Sequence, residues 1–128
     1  MKENEETRSV KVILVGDTGV GKTCIIYRYI HDVFNDNTFS TITASYEQKT
    51  ITLNENKIQF EIWDTCGQEK YRDIANIFFK DAGAAILVYD STSRNSFNEM
   101  KEYWYNKVKE NSPEDISMYY ILIIYFFI

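Results

Sequence analysis

An α/β domain with a largely parallel sheet and one antiparallel hairpin is the architecture this sequence predicts, on three observations. Two largely apolar runs, at residues 10–15 and within AGAAILVYD, have the length of buried strands. Between them lie a stretch of helical period and two alternating stretches joined by a polar turn. A second amphipathic helix follows the second run, and this alternation of strand and helix is what a parallel sheet covered by helices requires. With 128 residues the chain holds one domain. Its expected bounds are 10–128, with residues 1–9 read as a disordered, solvated tail.

Each element has its own warrant. Val10 to Val15 is the first buried strand, and a glycine-rich turn follows it. From Lys22 to His31 the placement of Cys24, Ile25, Tyr27, Arg28, Tyr29 and Ile30 suits a helix, after which FNDNTFST reads as an exposed loop. His31, the single histidine, falls at the end of that helix, where its charge is favourably placed against the helix dipole. A structural role is therefore expected for it rather than a catalytic one. Tyr46 to Leu53 and Lys57 to Trp63 form a hairpin joined by Asn54-Glu55-Asn56, with Ile58, Phe60 and Ile62 alternating against polar neighbours. AGAAILVYD is the next strand. SFNEMKEYWYNKVKE then places Phe97, Met100, Trp104 and Val108 on one helical face, and Ser96 with Glu99 has the spacing of a capping box. NSPEDI ends the helix, and the run from Met118 to Ile128 is almost wholly apolar.

Composition narrows the function. The formal net charge is -5, and the 14 basic residues are scattered, which argues against a nucleic-acid surface built from many phosphate contacts. Cys24 and Cys66 lie far apart in a chain with a polar, acidic start, so neither a secretory signal nor a disulfide framework is expected. Lys2 excludes N-myristoylation, and no cysteine lies near the carboxyl end for prenylation. The terminal apolar run is shorter than the roughly 20 residues a bilayer-spanning helix needs. Membrane attachment is thus not encoded in these residues, and a cytoplasmic location is expected for the chain as it stands.

Two constellations carry chemistry. Gly16-Asp17-Thr18-Gly19-Val20-Gly21-Lys22-Thr23 matches the phosphate-binding pattern G-x-x-x-x-G-K-S/T, between a predicted strand and a predicted helix. Its glycines let backbone N–H groups curl around phosphate oxygens, Lys22 adds a point charge, and the Thr23 hydroxyl suits magnesium. Average residue frequencies put a chance match on the order of a few in a thousand, which disfavours a glycine-rich turn with a stray lysine. The second is Trp63-Asp64-Thr65-Cys66-Gly67-Gln68-Glu69. Asp64 at a strand end can hold magnesium through water, the Gly67 N–H can meet a terminal phosphate, and Gln68 can orient an attacking water. Alone that stretch reads equally well as a turn; joined to the first it points to a nucleotide hydrolase.

LVGDTGVGKT, STITASYEQKTI, KIQFEIWDTCGQEKYR and FFKDAGAAILVYDSTSRNSF, in this order and spacing from about Val10 to Ile116, resemble the Ras superfamily of small GTPases and, within it, the Rab type. The resemblance implies a P-loop NTPase fold and a switch that binds GTP or GDP with Mg2+ and hydrolyses GTP to GDP and phosphate in vesicle trafficking. It implies that Thr41 joins magnesium and the γ-phosphate in the GTP state, that Phe34 packs beside guanine, and that Cys24 extends the nucleotide-binding set. A second switch would run from Gln68 to about Phe79. Tyr46, Trp63 and Phe78 match the aromatic trio by which Rab effectors read the nucleotide state; core packing is the other reading of those three. The expected partners are effectors, exchange factors and GTPase-activating proteins, and full-length relatives would work on vesicle or endomembrane surfaces.

The sequence departs from the Rab pattern at Thr43, where glycine is usual, and at Cys66, where alanine is usual. A thiol beside phosphates invites a redox reading, but anionic surroundings disfavour the thiolate, so an inert substitution is expected. The guanine-selecting N-K-x-D and the later S-A-K do not occur in the sequence. By analogy the fold is expected without its C-terminal strand and last two helices, leaving apolar sheet surface bare. Two other readings follow: a truncated, non-hydrolysing effector-binding decoy or non-functional fragment of a mis-spliced gene, and an ATP-using P-loop enzyme, which the second constellation disfavours. Ser117-Met118-Tyr119 can be encoded as AGT-ATG-TAT, containing the common intron start GTATGT. Each later residue has a codon of A and T alone, as intron read-through would give.

Overall fold

The computed structural model describes residues 6–32, 45–65 and 76–123. Five strands form one sheet in the order β2-β3-β1-β4-β5. They are β1 (Arg8–Gly16), β2 (Ser45–Leu53), β3 (Asn56–Asp64), β4 (Ala84–Asp90) and β5 (Ser117–Ile123). β1 runs parallel to β3 and β4, and β4 parallel to β5; β2 is antiparallel to β3. This is the expected parallel sheet with one hairpin strand. β1 begins two residues earlier than the apolar run alone indicates, because Arg8 and Ser9, assigned to the tail, pair with Ile58 and Gln59.

The hairpin is tighter than expected. Leu53 pairs with Asn56, leaving Asn54 and Glu55 as a two-residue turn with φ of 48° and 66°. Two consecutive left-handed residues twist the chain in the sense the strands need. Opposite faces of the sheet carry two cores. On one, Val12, Leu14, Val20, Ile26, Ile62 and Val88 pack beneath α1 (Lys22–His31). An apolar hollow of about 280 Å³ also opens there among the described residues, lined by Val12, Leu14, Ile26, Tyr29, Phe60 and Ile62 among others.

On the other face lie Ile13, Val15, Phe79, Leu87, Met100, Trp104 and Val108. The last three come from a helix in three parts: α2 (Arg94–Glu99), a π-helical segment Met100–Trp104, and α3 (Tyr105–Asn111). In a regular α-helix residues four apart drift by about 40° around the axis. The wider π turn offsets that drift and keeps Met100, Trp104 and Val108 on one side. The helix starts earlier than the capping-box reading places it. Ser93 is the N-cap, its Oγ accepting from the Ser96 N–H at 3.2 Å, and Ser96 lies inside the first turn. There the Ser96 hydroxyl donates to the Ser93 carbonyl at 2.8 Å and accepts from the Asp90 N–H at 3.0 Å, which ties the helix start to the end of β4.

Candidate nucleotide-binding site

The glycine-rich loop leaves the carboxyl end of β1 and turns into α1. Gly16 lies so close to β4 that a Cβ there would overlap the Val88 carbonyl oxygen. Gly21, the N-cap of α1, has φ of 104°, a conformation that other residues adopt only under strain. Having no side chain, it leaves the first-turn N–H groups of α1 without a side-chain cap, and such a helix end favours an anion. Val20 points into the core beneath α1 and anchors the middle of the loop. Asp17 braces the loop's outer turn, its Oδ1 accepting from the Thr18 N–H at 2.9 Å.

Lys22 is 1% exposed and curls back into this loop, where its Nζ donates to the carbonyls of Gly16 at 2.7 Å and Asp17 at 2.8 Å. A buried ammonium is thereby fixed against two backbone carbonyls of the loop. Beside it, Thr23 Oγ1 donates to Asp64 Oδ2 at 2.7 Å, across 41 residues of sequence. Asp64 is the last residue of β3 and is fully buried. A hydroxyl and a carboxylate so close form a small, hard-oxygen donor pair, which fits Mg2+, an ion commonly held by one or two protein oxygens plus substrate phosphates and water. Among the described residues no group of three or more His, Cys, Asp or Glu side chains is placed to hold a metal.

One contributor to this geometry escapes the motif reading. Thr65, fully buried, donates its hydroxyl to the Leu14 carbonyl at 2.6 Å and so binds the end of β3 to β1 just behind the loop. Its only sequence signal is its place beside Asp64. Cys24 lies half-buried on α1, one residue past Thr23. Phe34, Thr41, Thr43, Cys66, Gly67 and Gln68 lie outside the described residues.

Tyr46, Trp63 and Phe78 come together from β2, β3 and a 3-10 turn at Asn76–Phe78. The Trp63 ring is edge-on to Tyr46 at 5.0 Å and to Phe78 at 5.6 Å. Phe78 belongs to the core, while Tyr46 is 42% exposed. The core-packing reading thus holds for Phe78, while Tyr46 stands at the surface. His31 is the last residue of α1, its ring beside Tyr27 and its Nε2 4.0 Å from Glu47 Oε1.

Comparison with known proteins accords with this geometry. The sequence model of the Ras family matches residues 11–123. The chain belongs to the Ras family. Ras-related protein Rab-31 of Rattus norvegicus is 42% identical to this Ras-family chain over 111 residues, covering 87% of it and 56% of Rab-31. Ras-like GTP-binding protein RYL2 of Yarrowia lipolytica is 40% identical over 116 residues, 91% of this chain and 55% of RYL2. Ras-related protein Rab-10 of Caenorhabditis elegans is 42% identical over 106 residues, 83% of this chain and 52% of Rab-10. The Ras-family chain therefore spans about half the length of the relatives it matches. No helix among its described residues is long and apolar enough to cross a membrane.

Proposed function

We propose that this Ras-family chain is a guanine-nucleotide switch of the Rab type that binds GTP with Mg2+ and hydrolyses it to GDP and phosphate. The observation that carries the reading is the joint placement of Lys22 inside the glycine loop and of Thr23 against Asp64, at the adjacent carboxyl ends of β1 and β3. In this reading the loop amides and Lys22 bind the phosphates, and Thr23 and Asp64 hold Mg2+. When bound, the ion neutralises charge on the phosphate oxygens. Gln68 orients the attacking water, Thr41 and the Gly67 N–H respond to the γ-phosphate, and Phe34 packs on the base. These four assignments rest on the Rab resemblance.

The name of the relative RYL2 contains "GTP-binding", which supports guanine as the base. Hydrolysis by this arrangement needs no covalent intermediate and is slow in the class, on the order of 10⁻⁴ s⁻¹ without an activating partner. The proposed role is therefore a timer on vesicle or endomembrane surfaces, set by exchange factors and GTPase-activating proteins and read by effectors. The test is competition of GTP, GDP and ATP for a fluorescent GDP bound to the purified chain, followed by phosphate release from GTP. Displacement by GTP and GDP, with slow phosphate release from GTP, is expected. A preference for ATP, or no nucleotide binding, contradicts the reading.

A further inference from the structure

Lys11 is remote from the phosphate loop, yet it organises a surface. It lies on β1 two residues before Ile13, on the face that packs against the second core. Its ammonium donates to the Ile77 carbonyl at 2.7 Å and to the Lys80 carbonyl at 2.8 Å. The same ammonium sits 4.9 Å from the centroid of the Trp63 ring, and the Lys11 carbonyl accepts from the Gly83 N–H at 2.9 Å. One strand residue thereby grips residues 77–83 at three points. Burial lowers the pKa of Lys11, against the opposing pull of Asp81 and Glu61, so the ammonium gives up solvation to occupy this place.

What Lys11 holds is the aromatic trio and its rim. Ile77, whose carbonyl it grips, is 62% exposed, and Tyr46, against the Trp63 ring, is exposed as well. The buried indole N–H of Trp63 has no hydrogen-bond partner among the described residues. The ring is therefore oriented by its contacts with Tyr46, Phe78 and the Lys11 cation. We propose that Lys11 is the positioning residue of this aromatic face, fixing the Trp63 ring and the Asn76–Phe78 turn in the relation that a protein partner with apolar side chains reads. The partner class rests on the proposed function; the positioning role rests on the contacts of Lys11 alone.

The test uses the full chain labelled with 5-fluorotryptophan, whose two tryptophans, Trp63 and Trp104, give two ¹⁹F resonances assigned with Trp63→Phe. Lys11→Met keeps an unbranched side chain one atom shorter, without its charge; Lys11→Arg keeps a cation with donors. The methionine variant is expected to move the Trp63 resonance, leave that of Trp104 in place, and speed hydrogen exchange across residues 76–83 about tenfold. The arginine variant is expected to restore both. An unchanged Trp63 resonance and exchange rate in Lys11→Met, or an arginine variant that behaves like methionine, overturns the proposal. Should Lys11→Met not fold, the wild-type ammonium decides: slowly exchanging Nζ protons with magnetisation transfer to the Trp63 ring uphold the proposal, and their absence overturns it. GDP affinity, measured alongside, is expected to stay within about twofold in the methionine variant, since the contacts of Lys11 are to Ile77, Lys80, Gly83 and Trp63 and not to the phosphate loop. A chain that binds no nucleotide removes the proposed function and leaves the ¹⁹F and exchange outcomes to decide the role of Lys11.

Discussion

Thr65 holds the carboxyl end of β3 in place with a single hydroxyl. Replacing it with valine conserves its shape and removes the donor to the Leu14 carbonyl, a change that costs about 1 kcal/mol. Thr65→Val should therefore lower Tm by several degrees, and an unchanged thermal unfolding curve would show the bond to be dispensable. At this scale the motif residues were legible because their chemistry is local. Gly16, Gly21, Lys22 and Thr23 stand within eight positions, and each residue type follows from what a phosphate loop needs. Lys11 was not legible. Its partners Ile77 and Lys80 are 66 and 69 positions away, and a lysine in an apolar strand gives no sign of which carbonyls its ammonium will reach.

Elements show the same division between local and distant causes. The bounds of α1 could be read to the residue, because glycine before it and charged residues at its end mark both termini. The hairpin was legible as a hairpin, but its turn type was set by the pairing of Leu53 with Asn56, which composition does not state. That pairing places Glu55 at φ 66°, where a side chain is strained by about 1–2 kcal/mol. Glu55→Gly creates the favoured Asn-Gly turn. Allowing for glycine's greater entropy loss, we expect it to stabilise the chain by about 0.5–1 kcal/mol, seen as a higher urea midpoint with an unchanged slope. A lower midpoint would refute the turn assignment. The N-cap of α2 was misread for a comparable reason. Ser93 and Ser96 both suit a cap, and only the tie between Ser96 and Asp90 decides between them. Ser93→Ala is accordingly expected to cost about 1 kcal/mol, by the same denaturant measurement.

For the molecule as a whole, a largely parallel sheet with one hairpin strand was foreseen because its strands are mostly apolar or alternate cleanly, with helical stretches between them, whereas the strand order β2-β3-β1-β4-β5 was not. Parallel pairing brings the carboxyl ends of β1 and β3 side by side, and ligands of open α/β sheets bind at such ends. The topology thus joins two constellations more than forty residues apart in sequence into one site. The central claim is that this joined site binds nucleotide through Mg2+. Its most direct test is the affinity for GDP with Mg2+ and with a chelator, in the wild type and in Asp64→Asn. Chelation should weaken wild-type binding at least about tenfold, equivalent to roughly 1.4 kcal/mol, and the asparagine variant should lose most of that dependence. Wild-type binding that is indifferent to Mg2+, or an Asp64→Asn variant with undiminished dependence, would contradict the account.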